Sequence, residues 1–168
     1  MAGIDDLVQR NRGFAAALPL SVRNLPAPPS KRVAILTCMD ARMHPEKFLR
    51  LEPGEAHVIR NAGGRASPDV IRSLIISSHL LGTREYMVIH HTDCGMLTHT
   101  NDEIRQTLAK NMGVDATGMD FLPFTDLEQS VRDDIRAIRE SRFIPTDVTV
   151  RGFVYDVTTG RVLPVEDG

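Results

Sequence analysis

Val33-Ala34-Ile35-Leu36-Thr37-Cys38-Met39-Asp40-Ala41-Arg42 is the stretch around which the chain is laid out. Its first half is a short, continuous apolar run behind the basic pair Lys31-Arg32, the pattern of a strand buried on both faces of a parallel sheet. Its second half alternates a thiol, a carboxylate and a guanidinium where a strand must give way to a loop. A remote segment answers it: Tyr86-Met87-Val88-Ile89 runs into His90-His91-Thr92-Asp93-Cys94-Gly95. The chain holds two cysteines, and one lies in each segment.

Outward from the first stretch, residues 31–37 form the first expected strand, and His44-Pro45 opens a helix with proline in its first turn. Ala56-His57-Val58-Ile59-Arg60-Asn61 is the second strand, followed by a loop at Ala62-Gly63-Gly64-Arg65-Ala66. Ser67-Pro68-Asp69 combines a cap, a first-turn proline and an acid on the dipole's positive end, and the helix it starts stops at Gly82. Residues 85–90 are the third strand and 100–112 a helix, while 113–124 reads as an irregular surface excursion. Thr125-Asp126-Leu127-Glu128 has the form of a capping box before a helix with Leu127, Val131, Ile135 and Ile138 on one face. Residues 148–157 alternate as a fourth strand, and Thr158-Thr159-Gly160 turns the chain back into Arg161-Val162-Leu163.

Strands alternating with helices predict an α/β fold: a mainly parallel central sheet of four strands plus a C-terminal antiparallel edge strand, flanked by helices. Residues 1–30 read as an arm, a short helix followed by the stiff connector Leu25-Pro26-Ala27-Pro28-Pro29-Ser30, and residues 31–168 as the domain proper. At 168 residues the chain can bury a core without disulfides, and 42% apolar with 25% charged residues is ordinary for a globular protein. A formal charge of −2 gives no general attraction to nucleic acid or to acidic membranes. No apolar run approaches the ~18 residues that span a bilayer. The opening Met-Ala-Gly-Ile-Asp-Asp lacks a basic region before an apolar core, so a cytoplasmic location with reduced thiols is expected.

Ligand sites in parallel α/β folds gather at the carboxyl ends of the strands, and Cys38, Asn61 and His91 fall at the ends of the first three. Cys38, His91 and Cys94 then make a Cys₂His set of the kind zinc accepts, with a fourth position open. His90 points to the opposite face of its strand from His91 and is expected to be structural. A zinc nucleobase deaminase also uses His and two Cys, but needs Cys-x-x-Cys, which does not occur here. A thiol redox enzyme needs its cysteines close in sequence.

Cys38-x-Asp40-x-Arg42 with His91-x-x-Cys94-Gly95 resembles the β-class carbonic anhydrases, in their compact branch. Arg60-Asn61-Ala62-Gly63-Gly64 and the closing Gly152-Phe153-Val154-Tyr155-Asp156-Val157 extend the resemblance over roughly residues 32–163. It implies zinc-dependent hydration of carbon dioxide to bicarbonate and a proton by a zinc-bound hydroxide. One Zn2+ per subunit would be held by Cys38, His91 and Cys94. Asp40 would either take the fourth position or pair with Arg42 and leave it to water. Asn61, Ala62, Gly63 and Gly64 would form the pocket wall. A homodimer, or a dimer of dimers, is implied as well. The chain has no Trp, so a regulatory bicarbonate site built around tryptophan does not carry over. Two alternatives stand beside this reading: a hydrolase of carbon disulfide or carbonyl sulfide on the same scaffold, and a non-catalytic zinc protein closed by Asp40.

Overall fold

The structure is a computed structural model and describes residues 3–166. Five strands, β1 (Val33–Cys38), β2 (Ala56–Asn61), β3 (Glu85–His91), β4 (Thr149–Tyr155) and β5 (Val162–Val165), form one sheet in the order β2-β1-β3-β4-β5. The first four are mutually parallel and β5 pairs antiparallel with β4, as the alternating pattern predicts. The chain moves from β1 outward to β2, then crosses over β1 to place β3 on its other side. The carboxyl ends of β1 and β3 therefore flank the point where strand order reverses, the place where such sheets open a crevice.

Among the described residues, α1 (Gly3–Ala16) and α2 (Leu20–Arg23) precede the sheet, and α3 (Pro45–Phe48), α4 (Pro68–Leu81), α5 (Asn101–Met112) and α6 (Leu127–Arg139) lie between its strands. Two cores lie on opposite faces of the sheet. Ala34, Leu36 and Val88 point with Val150 toward Val70 and Leu74 of α4 and Val131, Ile135 and Ile138 of α6. Ile35 and Ile89 point the other way, toward Met43, Phe48, Phe124 and the two cysteines. Alternation along β3 thus sends His90 to the α6 face and His91 to the cysteine face, as the strand period requires.

Local signals fared unevenly. Gly82 ends α4 in the left-handed region (φ 75°), as expected of a glycine stop. Ser67 sits at the cap position of α4 but makes no side-chain cap; its hydroxyl instead lies 3.5 Å from Asn61 Nδ2. The expected box at Thr125–Glu128 is displaced by one residue, because Asp126 is the cap and accepts the Gln129 N–H at 2.9 Å. A full capping box stands instead at α5, where Thr100 and Glu103 exchange bonds with each other's backbone. No residue of α1 is buried, and Ile4, Leu7, Val8 and Phe14 are exposed.

Gly152 shows how closely α6 lies on β4. A Cβ at this position would fall 2.4 Å from Val131 Cγ1 and 2.7 Å from Ile135 Cδ1, both fully packed core residues. Gly152→Ala is therefore expected to lower unfolding stability by about 1–3 kcal/mol through overpacking. Urea titration checks this, and an unchanged midpoint would contradict the packing.

Candidate metal centre

Cys38 ends β1 opposite Asn61 of β2, and His91 ends β3 opposite Tyr155 of β4. Three residues past His91, a tight turn brings Cys94 back to the same point. The turn depends on Asp93, which takes a left-handed conformation (φ 55°) that Asp tolerates better than most residues. The ligand atoms of Cys38, His91 and Cys94 lie within 4.8 Å of one another, and all three residues are buried. His91 Nδ1 is 2.9 Å from the Thr92 carbonyl and must donate to it, which leaves a lone pair on Nε2. Buried Nε2 has no hydrogen-bond partner among the described residues. An orphaned imidazole nitrogen facing two thiols is what a tetrahedral zinc would satisfy, so these residues fit the ion.

The electrostatics of the bare cluster agree. The Cys38 thiol is pushed down to about 4, chiefly by a hydrogen bond from Cys94, with His91 and the backbone N–H groups of Asp40 and Gly63 adding to it against the cost of burial. Cys94 is pushed far up, because its proton is held by the Cys38 thiolate and burial adds to this. Burial is the largest influence and opposes the His91 imidazolium, but the Cys38 thiolate, the Thr92 carbonyl and the Asp40 charge together outweigh it and the net shift is upward. The pair therefore shares one proton, which a metal must displace to bind two thiolates.

Two residues beyond Cys38, Asp40 is gripped by Arg42. Arg42 Nε donates to Asp40 Oδ1 at 3.0 Å, Nη2 to Oδ2 at 2.7 Å, and the Arg42 backbone N–H to Oδ1 at 2.8 Å. The guanidinium holds the Asp40 carboxyl well below the usual carboxylate range. Asp40 Oδ2 faces the cluster, 3.8 Å from His91 Nε2. Arg42 also reaches the second segment, donating from Nη1 to Asp93 Oδ2 at 2.6 Å and from Nη2 to the Asp93 carbonyl at 2.9 Å. From β2, Arg60 fastens the same turn by donating to the carbonyls of Cys38 (3.0 Å) and Asp40 (2.7 Å).

A cleft opens over the cysteines, lined by Cys38, Met39, Asp40, Ala41, Ala62, Gly63, Cys94, Gly95 and Met96. Of the four expected wall residues, Ala62 and Gly63 line it and Asn61 and Gly64 do not. Asn61 folds the loop from behind, accepting the Arg65 N–H and donating to the Arg65 carbonyl, both at 2.8 Å. Gly64 (φ 72°) lies flat against the end of β1, where a Cβ would be 3.0 Å from the Thr37 carbonyl carbon. In the sequence Arg60 reads as part of the second strand, and neither it nor Asp93 stands out as a residue that holds the turn. Their partners are 20 and 51 residues away, a relation that no local spacing encodes. His44, His57 and His99 line no part of the cleft; His57 bonds Ser77 at 2.7 Å.

A parallel sheet with a Cys-His-Cys cluster at its reversal point defines an α/β protein with a site compatible with zinc. Residues 33–162 match the family model described as carbonic anhydrase. β-Carbonic anhydrase 1 of Mycobacterium tuberculosis is 43% identical over 164 residues, covering 96% of this chain and 97% of that protein. The crystal structure of carbonic anhydrase from Streptococcus mutans superposes with a TM-score of 0.94 at 48% identity, over 99% of both chains. A carbon disulfide hydrolase of Saccharolobus solfataricus is 34% identical over 183 residues, covering 95% of this chain and 87% of its own length. The chain belongs to the β-carbonic anhydrase family.

In metal-free protein at pH 6, Cys38 is expected to be the thiolate and Cys94 the thiol, since pH 6 lies above the value of about 4 for Cys38. Iodoacetamide should then modify Cys38 ahead of Cys94, as read by peptide mass spectrometry. Equal labelling of the two would contradict the shared proton.

Proposed function

We propose that this chain hydrates carbon dioxide reversibly to bicarbonate and a proton at one zinc ion per subunit, held by Cys38, His91 and Cys94. The observation that carries the reading is the arrangement of Asp40. Its carboxylate is drawn onto Arg42 while Oδ2 lies 3.8 Å from His91 Nε2, so Asp40 would leave a fourth position on a bound zinc to water and stand beside it as an ionised acceptor. Zinc supplies a Lewis acid that brings the proton of water into the neutral range, about pKa 7 in the three-histidine carbonic anhydrase site. Two thiolates offset the ion's charge here, so groups around the site matter more.

Asp40 Oδ2 accepts a hydrogen bond from the attacking oxygen and aims its lone pair at the carbon. Arg42 would keep Asp40 ionised and away from an ion held by the three ligands. Ala62 and Gly63 give the substrate an apolar wall, which Asn61 and Gly64 shape from behind. Stopped-flow hydration with zinc content measured on the same sample tests the whole reading. Arg42→Ala is expected to retain zinc and lose about 10–100-fold in activity. Full activity of that variant with zinc in place would overturn the role of Arg42, and an inactive, zinc-loaded parent would overturn the function.

The likeness to a carbon disulfide hydrolase favours a second reading, in which the same site attacks carbon disulfide or carbonyl sulfide. Sulfide release on carbon disulfide, with no carbon dioxide hydration, would select it. A non-catalytic zinc protein closed by Asp40 is disfavoured by the grip of Arg42 on that carboxylate.

Residues 1–30 act as an arm on the 31–168 domain and serve assembly into a homodimer or dimer of dimers. The support is α1, a 14-residue helix with no buried residue and an exposed apolar set, too short to be stable without a surface to pack on. Leu7→Asp with Phe14→Asp is expected to shift the protein toward monomer in light scattering, and an unshifted mass would refute it. A cytoplasmic location suits two thiols that must stay reduced. Among the described residues no helix is long and apolar enough to cross a membrane.

A further inference from the structure

Behind the cleft, on the α6 face, lies a buried ionic cluster that the proposed chemistry does not use. Asp134 of α6 is 4% exposed. Its Oδ1 accepts the Ala66 backbone N–H at 3.0 Å, and Arg65 Nε approaches Oδ1 at 3.3 Å and Oδ2 at 3.1 Å. Asp134 Oδ2 is also 3.0 Å from His90 Nε2, which in turn lies 3.2 Å from the Gly64 carbonyl. Phe124 closes the cluster, with the His90 ring stacked at 5.4 Å and the Arg65 guanidinium 5.3 Å from its ring centre.

A carboxylate is a costly way to fill a core. Removing it from water is unfavourable unless its partners replace the solvent, and a leucine would pack α6 on the sheet without that cost. What a leucine lacks is an acceptor for the Gly63-Gly64-Arg65-Ala66 loop. Every contact of Asp134 named above goes to that loop or to the histidine that holds it. On its other side the same loop places Gly63 in the cleft wall with Cys38 and seats Gly64 against the Cys38 backbone nitrogen, with a Cβ position 3.1 Å from it.

We propose that Asp134 is a positioning residue for the metal site: it anchors the Gly63–Ala66 loop from behind, so that the loop can seat the Cys38 backbone and wall the cleft in front. The inference rests on the zinc-site reading above and extends it to a helix that supplies no ligand. Without the anchor the loop loses its fixed distance from Cys38, and the ligand loses the support that orients it toward the ion.

Asp134→Asn tests it, because the amide keeps the shape but sets its N–H₂ against one of the donors, Ala66 N–H, Arg65 or His90. Zinc affinity, measured by competition with a chromophoric chelator on full-length protein, is expected to fall about tenfold, the low end for groups behind a ligand. The Gly63 amide resonance should move as well. Ser130→Ala is the control: Ser130 bonds His90 Nδ1 at 2.7 Å in the same core but does not touch the loop. It should lower thermal stability and leave zinc affinity unchanged. Equal loss of affinity in both variants, or parent affinity with an unmoved Gly63 amide in Asp134→Asn, would overturn the anchor and leave only a core polar group. Should Asp134→Asn not fold, Arg65→Met removes the anchor from the loop side, with the same loss expected and parent affinity again overturning it. The readout is metal binding, so a zinc-binding parent with no hydratase activity refutes the proposed function and not this inference.

Discussion

A guanidinium is planar and offers its donors along separate edges, so one arginine can hold two carboxylates at fixed angles. Arg42 uses that geometry to join the two halves of the site. One edge takes Asp40, two residues away, and the other takes Asp93, fifty-one residues away, with the Asp93 carbonyl as a further acceptor. Cys38 and Cys94 sit just beside these anchors, so the distance between the two cysteines depends on the reach of a single side chain. The same contact draws Asp40 to the rim of the cluster and not into its centre. Without Arg42 between them, two carboxylates and a Cys38 thiolate would crowd one small volume and repel.

The sheet provides the frame for that joint. Because β3 lies next to β1 on the side away from β2, the loops leaving β1 and β3 diverge and open a crevice between them. The loop after β2 closes the crevice from the far side and is itself held by α6. Each flank of the proposed site is therefore carried by a different strand, and the domain has to be complete before the cluster exists. The irregular region before α6 contributes too: Phe124 hangs from it by its N–H to the Met96 carbonyl at 3.1 Å and packs between both sides.

The sequence shows the fold where physics is local. Short apolar runs bounded by turns locate the strands, and glycine stops and proline starts locate the helices, because a few neighbouring residues decide each. The parallel order followed from the spacing that crossover helices require. Caps were read less well, since Ser67 and Thr125 match the pattern while their side chains find other partners or cede the position to the next residue. Cys38, His91 and Cys94 were legible because few chemistries use that set after two strands. Arg60 and Asp134 were not. An arginine on an edge strand and an aspartate within a helix are unremarkable in sequence, and only the folded chain shows which carbonyl or amide each one meets.

β3 carries two adjacent histidines with opposite environments, one among Ser130 and Asp134, the other among the cysteines. The pleat alone tells them apart. A single-residue insertion between Glu85 and His90 would carry His90 into the place of His91 and Ile89 into the place of His90, so Ser130 and Asp134 would lose their imidazole. The shifted chain would still place an imidazole at the end of β3, but the following Cys94 would then be out of step with it. Sheet register here is thus a form of chemical addressing, and length errors in β3 should be tolerated far less than substitutions in it.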